Sequence, residues 1–277
     1  MKFIILIAVT TLTFAADAAA QANIRSVDFK NFTYPAYCIG ETPEKVTVKN
    51  GEFYREKQED GYVDRFSFNV FDIAYGDVTG DGVGDAVILT VCNTGGTGNF
   101  SEGYVYSMKA GKPALVARIP GGDRAYGGLR SASVEKGLLI VDSNDVGEEG
   151  GACCPQFVIT TRYRVTGGKL AAVGQPIKKE LYPSRRVRFA PGTTGATLDL
   201  SLPAGELQRY AVGARAGQVL RVSTGSPDAS ARLLEEAVVT EGVNGFSAKL
   251  PKSADYTIEI QNNSSDPISV KVNIKIQ

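Results

Sequence analysis

The chain has 277 residues, of which 30 are basic and 30 acidic, and its sequence pI is near 6.4. This balance argues against nucleic acid and against an anionic membrane as partners, because both select a basic face. The chain contains no His and no Trp, so a Ser-His-Asp or Cys-His catalytic centre is excluded.

The N-terminus has the parts of a secretory signal peptide. Lys2 precedes an apolar run from Phe3 to about Phe14, and small residues that fit a cleavage site follow up to Ala22. The run is too short to span a bilayer, which takes roughly 20 residues, and no second long apolar stretch occurs. We therefore predict a signal peptide over residues 1–22, no membrane span, and a periplasmic or secreted mature protein.

The four cysteines are Cys38, Cys92, Cys153 and Cys154. In an exported chain an even number of cysteines favours disulfides, and four cysteines allow three pairings. A bond between the adjacent Cys153 and Cys154 forces strained local geometry. The sequence therefore favours two long-range bridges that tie Cys38 and Cys92 to the "GACCP" turn, with a metal or redox role for the adjacent pair as the alternative.

Turn signals separate short β-rich segments along the first 177 residues. Asn50-Gly51 lies between the alternating segments of "KVTVKNGEFY", and similar turns are predicted at Ala110-Gly111, Lys136-Gly137 and Gly167-Gly168. No segment sustains helical periodicity over three turns. We predict a mainly β protein whose first domain, residues 23–177, is a disulfide-stapled antiparallel β structure.

An aspartate-rich loop stands out in "YGDVTGDGVGDAVILTVC". Asp77, Thr79, Asp81 and Asp85 occupy positions 1, 3, 5 and 9 of this loop, and the carbonyl of Val83 occupies position 7. Calcium takes six to eight oxygen ligands, and this spacing presents oxygens around one point. The sequence therefore makes these five residues candidate metal ligands and calcium the candidate cofactor.

The segments on either side of this loop distinguish it from an EF-hand. "FNVFDIAY" and "DAVILTV" are typical of strands, and Ile88 stands where an EF-hand has its bidentate Glu. The unit "GDVTGDGVGDAVIL" resembles the calcium loop of integrin-type FG-GAP repeats, which implies calcium binding by the same five residues. The alternative is a hairpin turn in which Asp and Gly serve local hydrogen bonds and positive φ.

A wider resemblance covers about residues 60–173. The stretch "GDVTGDGVGDAVILTVCNTGGTGNF", followed by "GGDR" and "CCP", resembles exported bacterial proteins of unassigned function. The resemblance implies a domain but no activity.

The pattern of apolar, polar and charged residues changes after about residue 178. Pro183 and a cluster of basic residues predict a linker over residues 178–186. Beyond it, apolar and polar residues alternate, most regularly over 268–276. Period-two alternation indicates strands with one buried and one solvated face. We predict a C-terminal β-sandwich over residues 187–277, with Tyr210 and Tyr256 buried.

The C-terminal segment also carries a specific sequence pattern. "FAPGTTGAT", then "RYAVGARAGQVLRV" and "LPKSADYTI", resemble the periplasmic inhibitors of goose-type lysozyme over about residues 187–277. The resemblance implies a β-sandwich and a lysozyme as partner. Some periplasmic lysozyme inhibitors use an S-G-x-x-Y element, and here "SADY" (Ser253 to Tyr256) is shorter and lacks the Gly. Nine basic and nine acidic residues lie between Val187 and Gln277, so the count shows no charge bias.

Three functions follow from these patterns. The first is an exported, non-enzymatic binding protein that acts as a lysozyme inhibitor through the C-terminal sandwich, or that binds another envelope protein or a glycan. The second is a calcium-binding envelope protein in which the sandwich is an accessory module. The third is a metal-dependent hydrolase built on the aspartate loop, which the lack of His disfavours.

Overall fold

A computed structural model describes residues 23–38, 40, 42–148 and 150–277. The predicted signal peptide lies outside these residues. The fold is mainly β, as predicted, and a three-residue 3-10 helix at Ile24–Ser26 precedes the first strand. Within the described residues, no helix has the length and apolar character that crossing a membrane requires.

The strands are numbered in chain order. The first eleven are β1 (Thr33–Ala36), β2 (Glu44–Thr47), β3 (Glu52–Glu59), β4 (Tyr62–Gly76), β5 (Asp85–Asn93), β6 (Phe100–Lys109), β7 (Lys112–Ile119), β8 (Leu129–Glu135), β9 (Leu138–Asp145), β10 (Phe157–Thr166) and β11 (Lys169–Ala172). The next ten are β12 (Ile177–Glu180), β13 (Ser184–Arg186), β14 (Gly195–Leu202), β15 (Leu207–Ala214), β16 (Val219–Ser223), β17 (Ala229–Leu233), β18 (Val238–Gly242), β19 (Gly245–Lys249), β20 (Ala254–Asn262) and β21 (Ile268–Ile276).

The chain divides into two compact units. The first unit holds the described residues up to Pro155 together with Ile159–Lys178, and the second holds Gln156–Val158 together with Lys179–Gln277. The predicted domain limits at 177 and 187 stay predictions. The segment predicted as a linker is partly regular, because β13 pairs in parallel with β15 through Arg185 and Tyr210 and the residues on either side of them.

The first unit contains an antiparallel sheet in the order β3-β4-β5-β6-β7, a second path β11-β10-β9-β8, and the pair β1-β2. The predicted turns at Ala110-Gly111, Lys136-Gly137 and Gly167-Gly168 each join two paired antiparallel strands. Asn50 and Gly51 both have positive φ, as a tight turn at this pair requires. The turn predictions are therefore confirmed.

Strand β5 is the middle strand of the five-stranded sheet and is buried on both faces. Ala86 and Ile88 pack into one apolar cluster with the aromatic residues Tyr34 and Tyr104. The alternate residues of β5 pack into a second cluster, which includes Val87. A strand covered on both faces needs a continuous apolar run rather than alternation, which explains the sequence "AVIL" after the aspartate loop.

The disulfide pairing differs from the prediction. Cys38 bonds to Cys92, and the adjacent Cys153 and Cys154 bond to each other. Cys92 is buried in β5 within the aromatic cluster, where Cys38 also packs, and their Cα atoms are 6.6 Å apart. The "GACCP" turn instead lies between β9 and β10 and exposes both of its cysteines. The prediction of two long-range bridges to this turn was therefore wrong, because Cys38 packs against the same apolar cluster as Cys92.

The second unit is a sandwich of two sheets. One sheet has the order β13-β15-β20-β17 and the other β14-β21-β16-β19-β18. Their inner faces share one apolar core. Tyr210 and Tyr256 are buried in it, and the apolar residues of β21 alternate with exposed polar ones. Both features confirm the predictions, because period-two alternation places every second side chain between the sheets.

Candidate functional site

The aspartate loop joins β4 to β5 in the first unit. Asp85 begins β5 and is fully buried. Its Oδ2 accepts hydrogen bonds from the backbone N–H of Val78 at 2.9 Å, from the N–H of Thr79 at 3.0 Å and from the Thr79 hydroxyl at 3.1 Å. Asp85 therefore closes the loop by holding its first residues against the start of β5.

The other two aspartates also bond to the backbone of the loop. Asp77 accepts the N–H groups of Gly80 at 2.6 Å and Gly82 at 2.9 Å, and Asp81 accepts the N–H of Val83 at 2.8 Å. Both glycines have positive φ, as the hairpin-turn alternative requires. Across the described residues, no three His, Cys, Asp or Glu side chains are grouped as a metal site would need. The five candidate ligands thus share one loop, but their carboxylates do not converge.

One buried oxygen of the loop has no hydrogen-bond partner among the described residues. Asp85 Oδ1 is buried, and it accepts no hydrogen bond from the described residues. A buried carboxylate oxygen normally has a donor, a water or an ion beside it, because an unpaired buried polar atom is costly. This oxygen is the place in the loop where a cation would compensate a buried charge.

The second unit presents a basic surface on the outer face of its larger sheet. Four exposed basic residues lie on neighbouring strands of this sheet: Arg221, Lys249, Lys271 and Lys275. Arg221 lies directly opposite Lys275 in the β16–β21 pairing. Asp199 also lies on this sheet, 3.6 Å from the Lys271 amine. We call these four basic residues the basic face. Its cations outnumber the acids beside it, although the domain as a whole is balanced.

A groove of about 660 Å³ lies over part of the basic face. Its lining includes Arg221 and Lys275, together with Glu241 of β18. The hairpin that joins β18 to β19 forms one border of this groove. Its tip residue Val243 is 94% exposed, and Val238 at the start of β18 is 76% exposed. Cationic groups and exposed apolar side chains therefore lie side by side, an arrangement suited to binding another macromolecule.

The "SADY" segment has a structural part in the second unit. Tyr256 is fully buried, and its hydroxyl donates to the carbonyl of Lys252 at 2.7 Å. The Ser253 hydroxyl accepts the N–H of Ala216 at 3.0 Å. The side-chain oxygen of Gln218 accepts the backbone N–H of Arg215 at 2.7 Å. These side chains stabilise the sandwich, and the exposed candidate residues are those of the basic face.

Sequence reasoning missed the basic face because it counted charges over the whole domain. The signal was present in the last strand, where Lys271 and Lys275 alternate with buried Val272 and Ile274. Because side chains alternate with a period of two, Lys271 and Lys275 lie on the same face of the strand. The position of Arg221 beside Lys275 does not follow from this period, because it requires knowing that β16 pairs with β21.

The class of fold that these observations define is a β-sandwich joined to a second, irregular β unit. No protein-family model matches the chain, so the FG-GAP likeness has no support from that comparison. No curated protein matches it either.

Solved structures that match part of the chain include three periplasmic inhibitors of g-type lysozyme. PliG of Aeromonas hydrophila has 23% identity and a TM-score of 0.31, and the match covers 34% of this chain and 96% of that protein. PliG of Salmonella Typhimurium has 20% identity and a TM-score of 0.29, with 34% and 97% covered. A mutant of the Escherichia coli inhibitor has 17% identity and a TM-score of 0.29, with 33% and 96% covered. Each match is limited to about a third of this chain.

Proposed function

We propose that this protein is an exported, non-enzymatic binding protein whose C-terminal sandwich binds and inhibits a lysozyme. The sequence pattern "FAPGTTGAT…RYAVGARAGQVLRV…LPKSADYTI" supports the class of partner. The observation that carries the proposal is the basic face, where Arg221 and Lys275 border one groove. The disulfide between Cys38 and Cys92 supports export, because such bonds persist in oxidising compartments.

The chemistry of a lysozyme cleft is complementary to this surface. Glycosidases of this kind cleave their substrate between two carboxyl groups. The guanidinium of Arg221 and the amine of Lys275 are suited to pair with such carboxylates through charge-assisted hydrogen bonds. The exposed Val243 at the hairpin tip would bury apolar surface in the same cleft. Inhibition would then follow from occupying the substrate's place, with no chemical step by this protein.

The test is an inhibition assay of the full chain against goose-, chicken- and invertebrate-type lysozymes. We expect inhibition of the goose type. The double variant Arg221→Glu with Lys275→Glu should weaken inhibition at least about tenfold, because each substitution replaces an attraction by a repulsion. The matched control is Arg215→Glu with Lys252→Glu, two exposed residues of the same unit outside the groove. Equal effects of the two double variants, or no inhibition by the full chain, would contradict the proposal.

Calcium binding by the aspartate loop is a second candidate function, and buried Asp85 Oδ1 is the observation that favours it. The predicted ligands Asp77, Thr79, Asp81 and Val83 lie in the same loop. They would have to exchange some of their present hydrogen bonds for the ion. A weak site, with Kd on the order of 10⁻⁴–10⁻³ M, is expected when few charges converge.

Thermal unfolding of the full chain with and without calcium tests this second function. Calcium at about ten times Kd should stabilise the first unit by about 1.4 kcal/mol. The variant Asp85→Asn should abolish that gain, whereas Asp60→Asn, at an exposed turn, should leave it intact. If calcium stabilises the unmodified chain and both variants equally, the loop is not the calcium site. A hydrolase would, in addition, show turnover that Asp81→Ala abolishes.

A further inference from the structure

Two β-bulges of the first unit each place a residue in the lining of the same cavity. In the β4–β5 pairing, Val70 faces Thr90 and Asp72 faces Leu89, so Phe71 is an extra residue without a partner. In the β8–β9 pairing the register shifts in the same way around Arg130. Phe71 and Arg130 both line one cavity of about 390 Å³. A bulge re-aims a side chain that a regular ladder would place elsewhere, so each strand departs from regularity where it supplies this cavity.

A third irregularity borders the same cavity. Arg124, in the loop before β8, has φ of 46°, a left-handed conformation that costs energy for a long side chain such as Arg. The loop around it is closely packed: a Cβ on Gly122 would collide with the carbonyl of Tyr126, and one on Gly128 with the carbonyl of Arg124. The surrounding structure therefore fixes the strained residue in place. Strain of this kind concentrates at binding sites.

The polar groups around the cavity form hydrogen bonds with one another. Arg124 bonds to Asp123 through Nε at 3.0 Å and Nη2 at 3.1 Å. Asn144 donates from Nδ2 to the Arg124 carbonyl at 2.9 Å, and its Oδ1 accepts Nη1 of Arg130 at 2.9 Å. Asn99 donates its backbone N–H to Asp123 at 2.8 Å. The arrangement fixes Arg130 over the cavity before any ligand arrives, which lowers the entropy cost of binding.

The groups that remain available are hydrogen-bond donors and one cation. Arg124 holds the pKa of Asp123 below its usual range through their hydrogen bonds, so these two charges balance each other. Arg130 keeps unused guanidinium N–H groups, and the Asn99 Nδ2 has no acceptor among the described residues. Among the described residues, no acidic side chain lines the cavity. Beside these donors, Phe71 exposes 41% of its surface, and Leu129 adds apolar wall.

We propose that this cavity binds a small carboxylate ligand that has a flat apolar face. The carboxylate pairs with the free edge of the Arg130 guanidinium, whose planar donors fit a carboxylate. The flat face packs on the Phe71 ring. The Asn99 amide donates to a further oxygen of the ligand. Such a ligand is either an aromatic acid or an acidic sugar, since the ring of each presents an apolar face. The site lies in the first unit and does not depend on lysozyme binding.

The experiment uses the full chain and two acids with matched neutral analogues. The acids are benzoate and glucuronate, and the neutral probes are benzamide and glucose. Ligand-observed NMR at millimolar concentration measures binding, and amide shifts of the protein locate it. We expect one or both acids to bind, the neutral analogues to bind much more weakly, and the shifted amides to include Gly128 and Asn144. The acid that binds more tightly shows whether the site prefers an aromatic acid or an acidic sugar. Binding of neither acid, or shifts confined to other residues, would overturn the proposal.

Two variants test the assigned contacts. Arg130→Gln should weaken binding of the acid about tenfold or more, because a charge-assisted pair is lost. Phe71→Ala should weaken it about threefold or more, and Phe71→Leu less, because the aromatic contact is lost. The matched controls are Arg164→Gln and Tyr62→Ala, at exposed positions outside the cavity. Equal losses in variants and controls would overturn the assignment, and amide spectra check that each variant is folded.

Discussion

The two units are both β structures, but they differ in regularity. In the second unit, β14 and β21 pair over eight consecutive residues without a shift, and the other described pairings there also keep their register. In the first unit, three of the described pairings shift register, near Phe71, Tyr106 and Arg130. In the regular sandwich the candidate binding residues, those of the basic face, lie on the outer surface of a sheet. In the first unit, β-bulges redirect side chains out of the regular alternation, and these side chains line a concave cavity.

The units also differ in what stabilises them. The second unit has one apolar core between two sheets. The first has two apolar clusters on the two sides of β5, and the Cys38–Cys92 bond connects its N-terminal strands to that strand. The first unit should therefore depend on a covalent link and the second on packing and a buried ion pair. The following predictions test this difference.

The largest expected effect concerns the Cys38–Cys92 bond. The double variant Cys38→Ala with Cys92→Ala should lower the free energy of unfolding of the first unit by about 4 kcal/mol. The bond spans 54 residues, so its loss restores much chain entropy to the unfolded state. Denaturant unfolding followed by NMR, with signals from each unit resolved, measures the effect. Signals of the second unit should change little.

The adjacent bond provides the control for this prediction. Cys153→Ser with Cys154→Ser should alter the stability of the first unit by no more than about 1 kcal/mol, because the bond joins neighbouring residues and constrains almost no chain. If the two double variants destabilise the unit equally, loop length is not what makes the long-range bond stabilising.

The next effect concerns Glu259 in the second unit. Its carboxylate is 1% exposed and lies 2.9 Å from Nε of Arg209 and 2.5 Å from Nη2 of Arg232. Glu259→Ala should destabilise this unit by about 3 kcal/mol, because it leaves the mostly buried Arg209 without its carboxylate partner. Asp199→Ala, which removes an exposed pair with Lys271, should cost at most about 0.5 kcal/mol. Chemical unfolding of both variants measures the difference, and equal costs would contradict the role of burial.

The smallest expected effect for a single side chain is the response to alkaline pH. Burial raises the pKa of Tyr34, Tyr104 and Tyr106 in the first unit, whereas the second unit has Tyr210 with a raised pKa. A raised phenol pKa means that the unfolded chain loses its proton first, at about pH 10. Stability is therefore complete below about pH 10 and falls as the pH rises further, by up to about 1.4 kcal/mol per pH unit for each tyrosine.

Urea unfolding between about pH 8 and pH 11 tests this response. The first unit should lose more stability than the second. The variant Tyr106→Phe should make the loss less steep, since it removes one titrating phenol and keeps the ring. Equal slopes in the two units, or an unchanged slope in the variant, would show that the buried tyrosines do not cause the loss.

The sequence predicted some features of the candidate sites but not others. The aspartate loop was located correctly as a connection between two strands, because Asp and Gly spacing encodes turns locally. That Asp85 is buried with one oxygen unpaired was not visible, since burial depends on what packs around β5. The cavity at Phe71 and Arg130 was not visible either. A bulge is a mismatch between two paired strands, and neither strand alone carries its signal.

The sequence by itself determined the mainly β fold, the positions of the tight turns and the alternating strands of the C-terminal sandwich. These are local properties, set by backbone conformation at residues such as Asn50 and by the period of two in β21. Tertiary structure decided that Cys38 meets Cys92, that Arg221 lies beside Lys275, and that Phe71 and Arg130 share a cavity. Those pairs are far apart in the chain, and the strand pairing and packing that bring them together depend on the whole core.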